Sequence, residues 1–160
     1  VCDWGNHCVQ VFSEDGAFLF QFGSKGAAAG QLSGPWHLAI DSAAEEVYVT
    51  EYGNHRVSVF SASGEDRRHF GREGNGDGQL KFPLGIVVHP LTKEIIVADC
   101  GNNRLQVCDG EGRFLRSFGS KGSGDNHFSW PYGLCAHGVS GHIAVADSNN
   151  SRVHILPWKQ

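Results

Sequence analysis

GNHCVQVF begins at Gly5, GNHRVSVF at Gly53 and GNNRLQVC at Gly101, so the three octets start 48 residues apart. A degenerate fourth copy runs from Asn149 through Arg152, Val153 and Ile155. Other landmarks keep the same step: Phe22-Gly23, Phe70-Gly71 and Phe118-Gly119; Pro35, Pro83 and Pro131; Gly16, Gly64 and Gly112. The acidic series Asp3, Glu51, Asp99 and Asp147 completes the set, and no insertion or deletion disturbs the register. A fixed period of this length marks a repeat architecture in which each unit is one supersecondary element.

Each unit reads as four short strands. In the second full unit these are Gly85–Val88, Ile95–Asp99, Arg104–Cys108 and Phe114–Phe118. Val57 and Val59 alternate with polar neighbours, the period-two pattern of a half-buried antiparallel strand. Connections such as HPLTKE and DGEG carry the Pro, Gly and Asp that hairpin turns require. Helix-period patterning is missing throughout. Four antiparallel strands in a unit of this size describe a β-propeller blade. The approximate units are 1–34, 35–82, 83–130 and 131–160, the first and last partial.

GNHRVSVF, PLGIVVHP, IIVADCGNNRLQVC and GEGRFLRSFGSKGSG resemble NHL repeats, and the resemblance extends over nearly the whole chain. It implies an all-β fold: a β-propeller of NHL-type four-stranded antiparallel blades. About three and one-third repeats of period 48 are present, which makes the chain a partial propeller or a fragment. Propellers close with ~4–8 blades, and NHL propellers usually have six. The missing blades are expected from a parent chain or from oligomerisation. Without them an apolar blade face and sheet edges stay bare.

Composition narrows the function classes. The 160 residues carry a formal charge of −4, which argues against a generally basic nucleic-acid surface. No apolar run approaches the ~20 residues of a membrane span, and no signal-peptide pattern is visible. With Val1 first and no methionine, the sequence reads as a processed chain or a fragment. Cys2, Cys8, Cys100, Cys108 and Cys135 form no CxxC pair and are odd in number. Free thiols in a reducing, cytoplasmic setting are the expectation.

Alternating strand direction sorts the connections onto two faces. One face gathers the second-to-third turns and the long fourth-to-first connections. It holds Trp4, Trp36, Tyr52, Trp130 and Tyr132, with His37 and His55, and Lys25, Arg72 and Lys121 in the long loops. Large rings and cations of this kind anchor peptides or stack bases. Wedge packing between blades is an equally good reading of Trp36 and Tyr132. Trp4 and Tyr52, at a turn position, are expected to be exposed. The glycine-rich loops lack the phosphate-binding spacings and read as spacers between blades. The other face carries Glu14, Asp15, Asp41, Glu45, Glu46, Glu94, Asp109 and Glu111 and is expected to be acidic.

Glu51/Arg56, Asp99/Arg104 and Asp147/Arg152 flank one tight turn in successive blades. Recurrence in every blade favours a structural pair, exposed or half-exposed and worth ~0.2–1 kcal/mol each. In the first unit Cys8 replaces the arginine and leaves Asp3 without that partner. His55, replaced by Asn103 and Ser151 in later blades, suits a turn donor.

Propeller lyases that resemble NHL proteins bind zinc through histidines directly after the strand-opening proline. Here those positions are Trp36, Leu84 and Tyr132, so that match fails. Asp41, His89 and His137 share a register and are the weak metal candidates, with turn structure the stronger reading. No nucleophile elbow occurs. The expectation is a non-catalytic platform for a protein or peptide partner, without cofactor, of the kind that recruits substrates in tripartite-motif ubiquitin ligases. Single-stranded RNA is the alternative, and a metal-dependent lyase or hydrolase a distant third.

Overall fold

A computed structural model describes residues 1–158 as a row of antiparallel sheets. The first sheet has three strands, β1 (Cys2–Asp3), β2 (Cys8–Phe12) and β3 (Phe18–Phe22). The second has four: β4 (Pro35–Asp41), β5 (Glu46–Glu51), β6 (Arg56–Ser61) and β7 (Asp66–Phe70). The third repeats it with β8 (Pro83–Val88), β9 (Ile95–Asp99), β10 (Arg104–Cys108) and β11 (Phe114–Phe118). A short parallel pair, β12 (Ser120–Lys121) and β13 (His127–Phe128), precedes the last sheet. That sheet comprises β14 (Pro131–Ala136), β15 (Ile143–Asp147) and β16 (Arg152–Leu156). Strands pair in sequence order, and among the described residues the row of sheets does not close into a ring. β9, β10 and β11 coincide residue for residue with the sequence reading.

Three cores hold the blades together, one at each junction. Val9, Leu32, Val49 and Phe60 fill the first. Val57, Val59, Leu80, Ile86 and Val97 fill the second, and Leu105, Val107, Phe128, Leu134 and Val145 are among those filling the third. Each core contains one residue from a long connection: Leu32, Leu80 or Phe128. The connections are thus more than spacers. Each doubles back to push an apolar plug between two sheets, closed by the parallel bridges Lys25↔Leu32 and Glu73↔Leu80 or by the β12–β13 pair. Gly71 explains the repeated Phe-Gly landmark. Its φ is +87°, and a Cβ there would stand 2.7 Å from Leu80 Cδ1.

The half-buried reading of the octet strands fails in the middle of the row. Every residue of β6 is buried, polar ones included, because a blade on each side covers both faces. Alternation survives at the end of the row, where β16 is half open. There Val153 and Ile155 are exposed, as is Ile40 on β4, beside which the first sheet has no axial strand.

Candidate functional site

Each axial strand opens with an irregularity. β4 pairs Pro35 with Glu51 and next Leu38 with Val49, so Trp36 and His37 share the span opposite Thr50. β8 and β14 repeat the shift between Pro83 and Ile86 and between Pro131 and Leu134. A bulge bends its strand and re-aims side chains. Trp36 and Tyr132 come out 36% and 40% exposed, whereas Leu84 at the same register is buried. Trp4 is 55% exposed.

These rings meet. Trp4 and Trp36 stand 6.4 Å apart at 81°, and Trp36 and Tyr132 5.7 Å apart at 88°. With Tyr52, Leu84 and Trp130 they line a depression of about 450 Å³. Tyr52 is half-buried rather than free, stacked on Phe82 at 4.7 Å, and Phe82 leans towards Trp130 at 6.5 Å. The turn position shared by Trp4, Tyr52 and Cys100 is therefore not uniformly exposed, and Cys100 is wholly buried.

A clasp under the bowl sets its walls. Gly34, Phe82 and Trp130 all have positive φ, a costly state for the last two. The N–H of each is taken by the preceding blade: Gly34 by His7 Nδ1 at 3.0 Å, Phe82 by His55 Nδ1 at 3.0 Å and Trp130 by Asn103 Oδ1 at 2.9 Å. His55 thus acts as an acceptor between blades, not as a turn donor. His7, His55 and Asn103 are themselves left-handed, which suits the change from histidine to asparagine. His37 is exposed and accepts the Ile86 N–H at 3.3 Å.

The acid–arginine pairs form, but not as surface pairs. Glu51, Asp99 and Asp147 are fully buried. Glu51 takes Arg56 Nε at 2.6 Å, the Ser33 N–H at 2.8 Å, Asn54 Nδ2 at 2.6 Å and the Ser58 hydroxyl. Asp99 takes Arg104 Nε at 2.8 Å, the Lys81 N–H at 2.7 Å and Asn102. Each arginine then donates to carbonyls of the incoming loop, Arg56 to Ala27 and Gln31, Arg104 to Gly76 and Gln79. At Asp147 burial pushes the carboxyl pKa up. The Ser129 N–H, Asn150, Arg152 and His154 outweigh that and hold it below the usual range. The expected weak pairs are instead buried anchors for the long loops. Asp3, lacking an arginine, is only half-buried and settles for Asn6 and Gln10.

Lys25, Arg72 and Lys121 are exposed, but they follow the outermost strands, away from the start of the axial ones. Among the described residues, no cation–π contact joins them to the bowl. The opposite face is not simply acidic. Arg68 forks onto Glu46, with Nη2 at 2.8 Å, and Arg116 forks onto Glu94, with Nη2 at 3.0 Å. Arg113 holds Asp109, and Lys93 lies 3.5 Å from Asp41. The arginines beside Glu46 and Glu94 hold both carboxyls down at about 2.

Asp41, His89 and His137 do not make a metal centre. His89 is buried, its Nδ1 accepting the Thr92 N–H at 3.0 Å and its Nε2 facing the Gly141 carbonyl at 2.8 Å, which leaves no free lone pair. His137 Nδ1 accepts the Ser140 N–H at 3.1 Å. Among the described residues no group of His, Cys, Asp or Glu is arranged to hold a metal ion. No helix among them is long and apolar enough to cross a membrane.

Four-stranded blades packed side by side, with an aromatic depression where their axial strands begin, define the chain as a set of β-propeller blades. The NHL repeat family matches residues 32–60, 80–108 and 128–156, together more than half of the chain. The chain belongs to the NHL repeat family. No curated protein matches the sequence. Among solved structures it resembles a chain of the nidogen/laminin complex at 24% identity and a TM-score of 0.62, over 79% of this chain and 45% of that one. Virginiamycin B lyase from Staphylococcus aureus aligns at 17% identity and a TM-score of 0.60, over 98% and 50%. An auxiliary nutrient binding protein from Bacteroides thetaiotaomicron aligns at 15% identity and a TM-score of 0.67, over 94% and 42%. At these identities the likeness is one of fold, and the chain spans half or less of each.

Proposed function

We propose that the chain is the binding part of a non-catalytic NHL propeller and captures a protein or peptide partner in the aromatic bowl. The observation that carries this reading is the meeting of Trp4, Trp36 and Tyr132, all exposed and with Trp36 set edge-on to each of the other two, around one depression. Exposed indole and phenol rings over a supported apolar floor are what binding hot spots consist of. The buried loop anchors and the histidine clasp make the platform rigid, so little ordering cost opposes binding. The nidogen/laminin and nutrient-binding structures support the reading only as propellers of the same fold that are described by what they join or bind. In a ubiquitin-ligase-type parent this part would recruit the substrate, and the five free thiols fit a cytoplasmic setting.

Selecting peptides from a display library against the chain tests the proposal. Selected peptides should bind the native protein and lose at least ten-fold in affinity on Trp36→Ala. Selection that returns no peptide dependent on Trp4, Trp36 or Tyr132 overturns it. Single-stranded RNA is the second reading, favoured by the exposure of Lys25, Arg72 and Lys121 on the long loops. RNA retention would fall steeply with salt and vanish when the three are neutralised together, whereas apolar peptide capture would change little.

A further inference from the structure

We infer that the bowl is a cage for a methylated ammonium group, the trimethyllysine side chain of a peptide; this rests on the reading of the bowl as the peptide-binding site. Three of its six lining residues are tryptophans and two are tyrosines, the ring types that attract cations best. The arrangement matters as much as the composition. Trp4 and Trp36 are almost perpendicular, and so are Trp36 and Tyr132. In each T-shaped pair the edge of one ring meets the face of the other, and beside that contact the two faces bound a corner. Both faces carry the negative side of the ring quadrupole, so the corner is electron-rich although it holds no formal charge.

That absence of formal charge selects among cations. Among the described residues no Asp, Glu, Lys or Arg lines the bowl. The nearby turn carboxylate Glu51 is buried and already paired with Arg56, so it offers no counter-ion to a guest. An unmodified lysine ammonium is compact and strongly hydrated, and stripping its water here would go unrepaid. A trimethylammonium group spreads the same charge over three methyl groups. Those methyls find the apolar surface of Leu84 and the rings, and the charge finds the π faces. An anion meets the reverse: negative ring faces on a chain whose net charge is −4. The depression of about 450 Å³ lies in the range of ordinary ligand sites, with room for the aliphatic stem as well as the head group.

The test uses three short alanine–glycine peptides identical except at the central residue. One carries trimethyllysine, one lysine, and one the neutral isostere in which carbon replaces the quaternary nitrogen. Tryptophan fluorescence and calorimetry read binding to the native chain. The trimethyllysine peptide should bind about ten-fold or more tightly than either of the others. Trp36→Ala should remove that preference and Trp36→Phe should retain part of it, with circular dichroism checking that both fold. Equal binding of the charged and neutral peptides overturns the cage, while leaving an apolar peptide anchor intact. Tetramethylammonium that binds as tightly as the peptide overturns the peptide part and makes the ligand a free organic cation. If none of the three peptides binds while display-selected peptides still depend on Trp36, the cage is wrong and peptide capture stands. Failure of both sets overturns the bowl as a peptide site altogether.

Discussion

Val57, Leu105 and Val153 stand at one register of three successive blades, each directly after the arginine of the turn. Val57 and Leu105 are fully buried, yet Val153 is 65% exposed. The strands that carry them share one pattern and one kind of acidic anchor, although β16 pairs only with β15 whereas β6 and β10 pair on both edges. What differs is the neighbour: β6 and β10 are covered on both faces, and β16 is covered on one. In a propeller the strand's own sequence decides that it is a strand, and the adjoining blade decides what it buries. The residues of the middle blades therefore carry energies that identical residues at the ends do not.

The contrast should be widest at the acidic anchors. Asp99→Ala takes the fully buried carboxylate away from half-buried Arg104 and from the Lys81 N–H and should cost about 3–5 kcal/mol in urea unfolding. Asp3→Ala, at the same register of the first blade, should leave the midpoint within error. Equal losses would mean that the anchors act independently of burial. Leu105→Ala should cost about 2–5 kcal/mol, against less than about 0.5 kcal/mol for Val153→Ala. A large loss at Val153 would mean that the last blade is covered in solution. His55→Ala orphans the Phe82 N–H and should cost about 1–3 kcal/mol. His55→Asn should recover most of this, since Asn103 serves the next junction; no recovery would assign the histidine another role. The acid response should be smaller still. Glu46 and Glu94 sit at about 2 in the folded chain, below their ordinary 4.5. Their stabilisation is therefore complete above about pH 4.5 and drains away as the pH falls towards 2. After discounting for the exposure of the arginine partners it is on the order of 1 kcal/mol each. Urea midpoints measured over this range should flatten in Glu46→Gln.

The repeat made the strands legible, because a hairpin is written locally in turn residues and alternation. β9, β10 and β11 needed nothing more. Burial was not legible in the same way. The octet alternates as a half-buried strand does, and nothing in RVSVFS announces that Ser58 will lie in a dry junction with its hydroxyl on Glu51. The plugs were partly visible: Leu32, Leu80 and Phe128 recur three residues before each strand-opening proline, among glycines that drew attention to spacing instead. Trp4, Trp36, Tyr52, Trp130 and Tyr132 were legible as residue types on one side. Their meeting depends on the bulge at the start of each axial strand, set by pairing within a blade, and on Phe82, which the incoming connection brings behind Tyr52. The displacement of Lys25, Arg72 and Lys121 from the bowl follows from strand order within a blade, which fixes distance from the axis.

The long connection from residue 72 to residue 82 is gripped twice. Asp99, Asn102 and Arg104 hold it from the blade it enters, and His55 holds its last N–H from the blade it leaves. Neither blade can release that segment alone, so the quantum of unfolding is the junction and not the repeat. A disturbance in one blade passes to the next through a shared strap, and melting should advance from the ends inward in steps that straddle two sheets. Amide exchange would show this order directly: the Lys81 and Phe82 N–H groups should open together, later than the exposed Asn6, whose N–H rests only on Asp3.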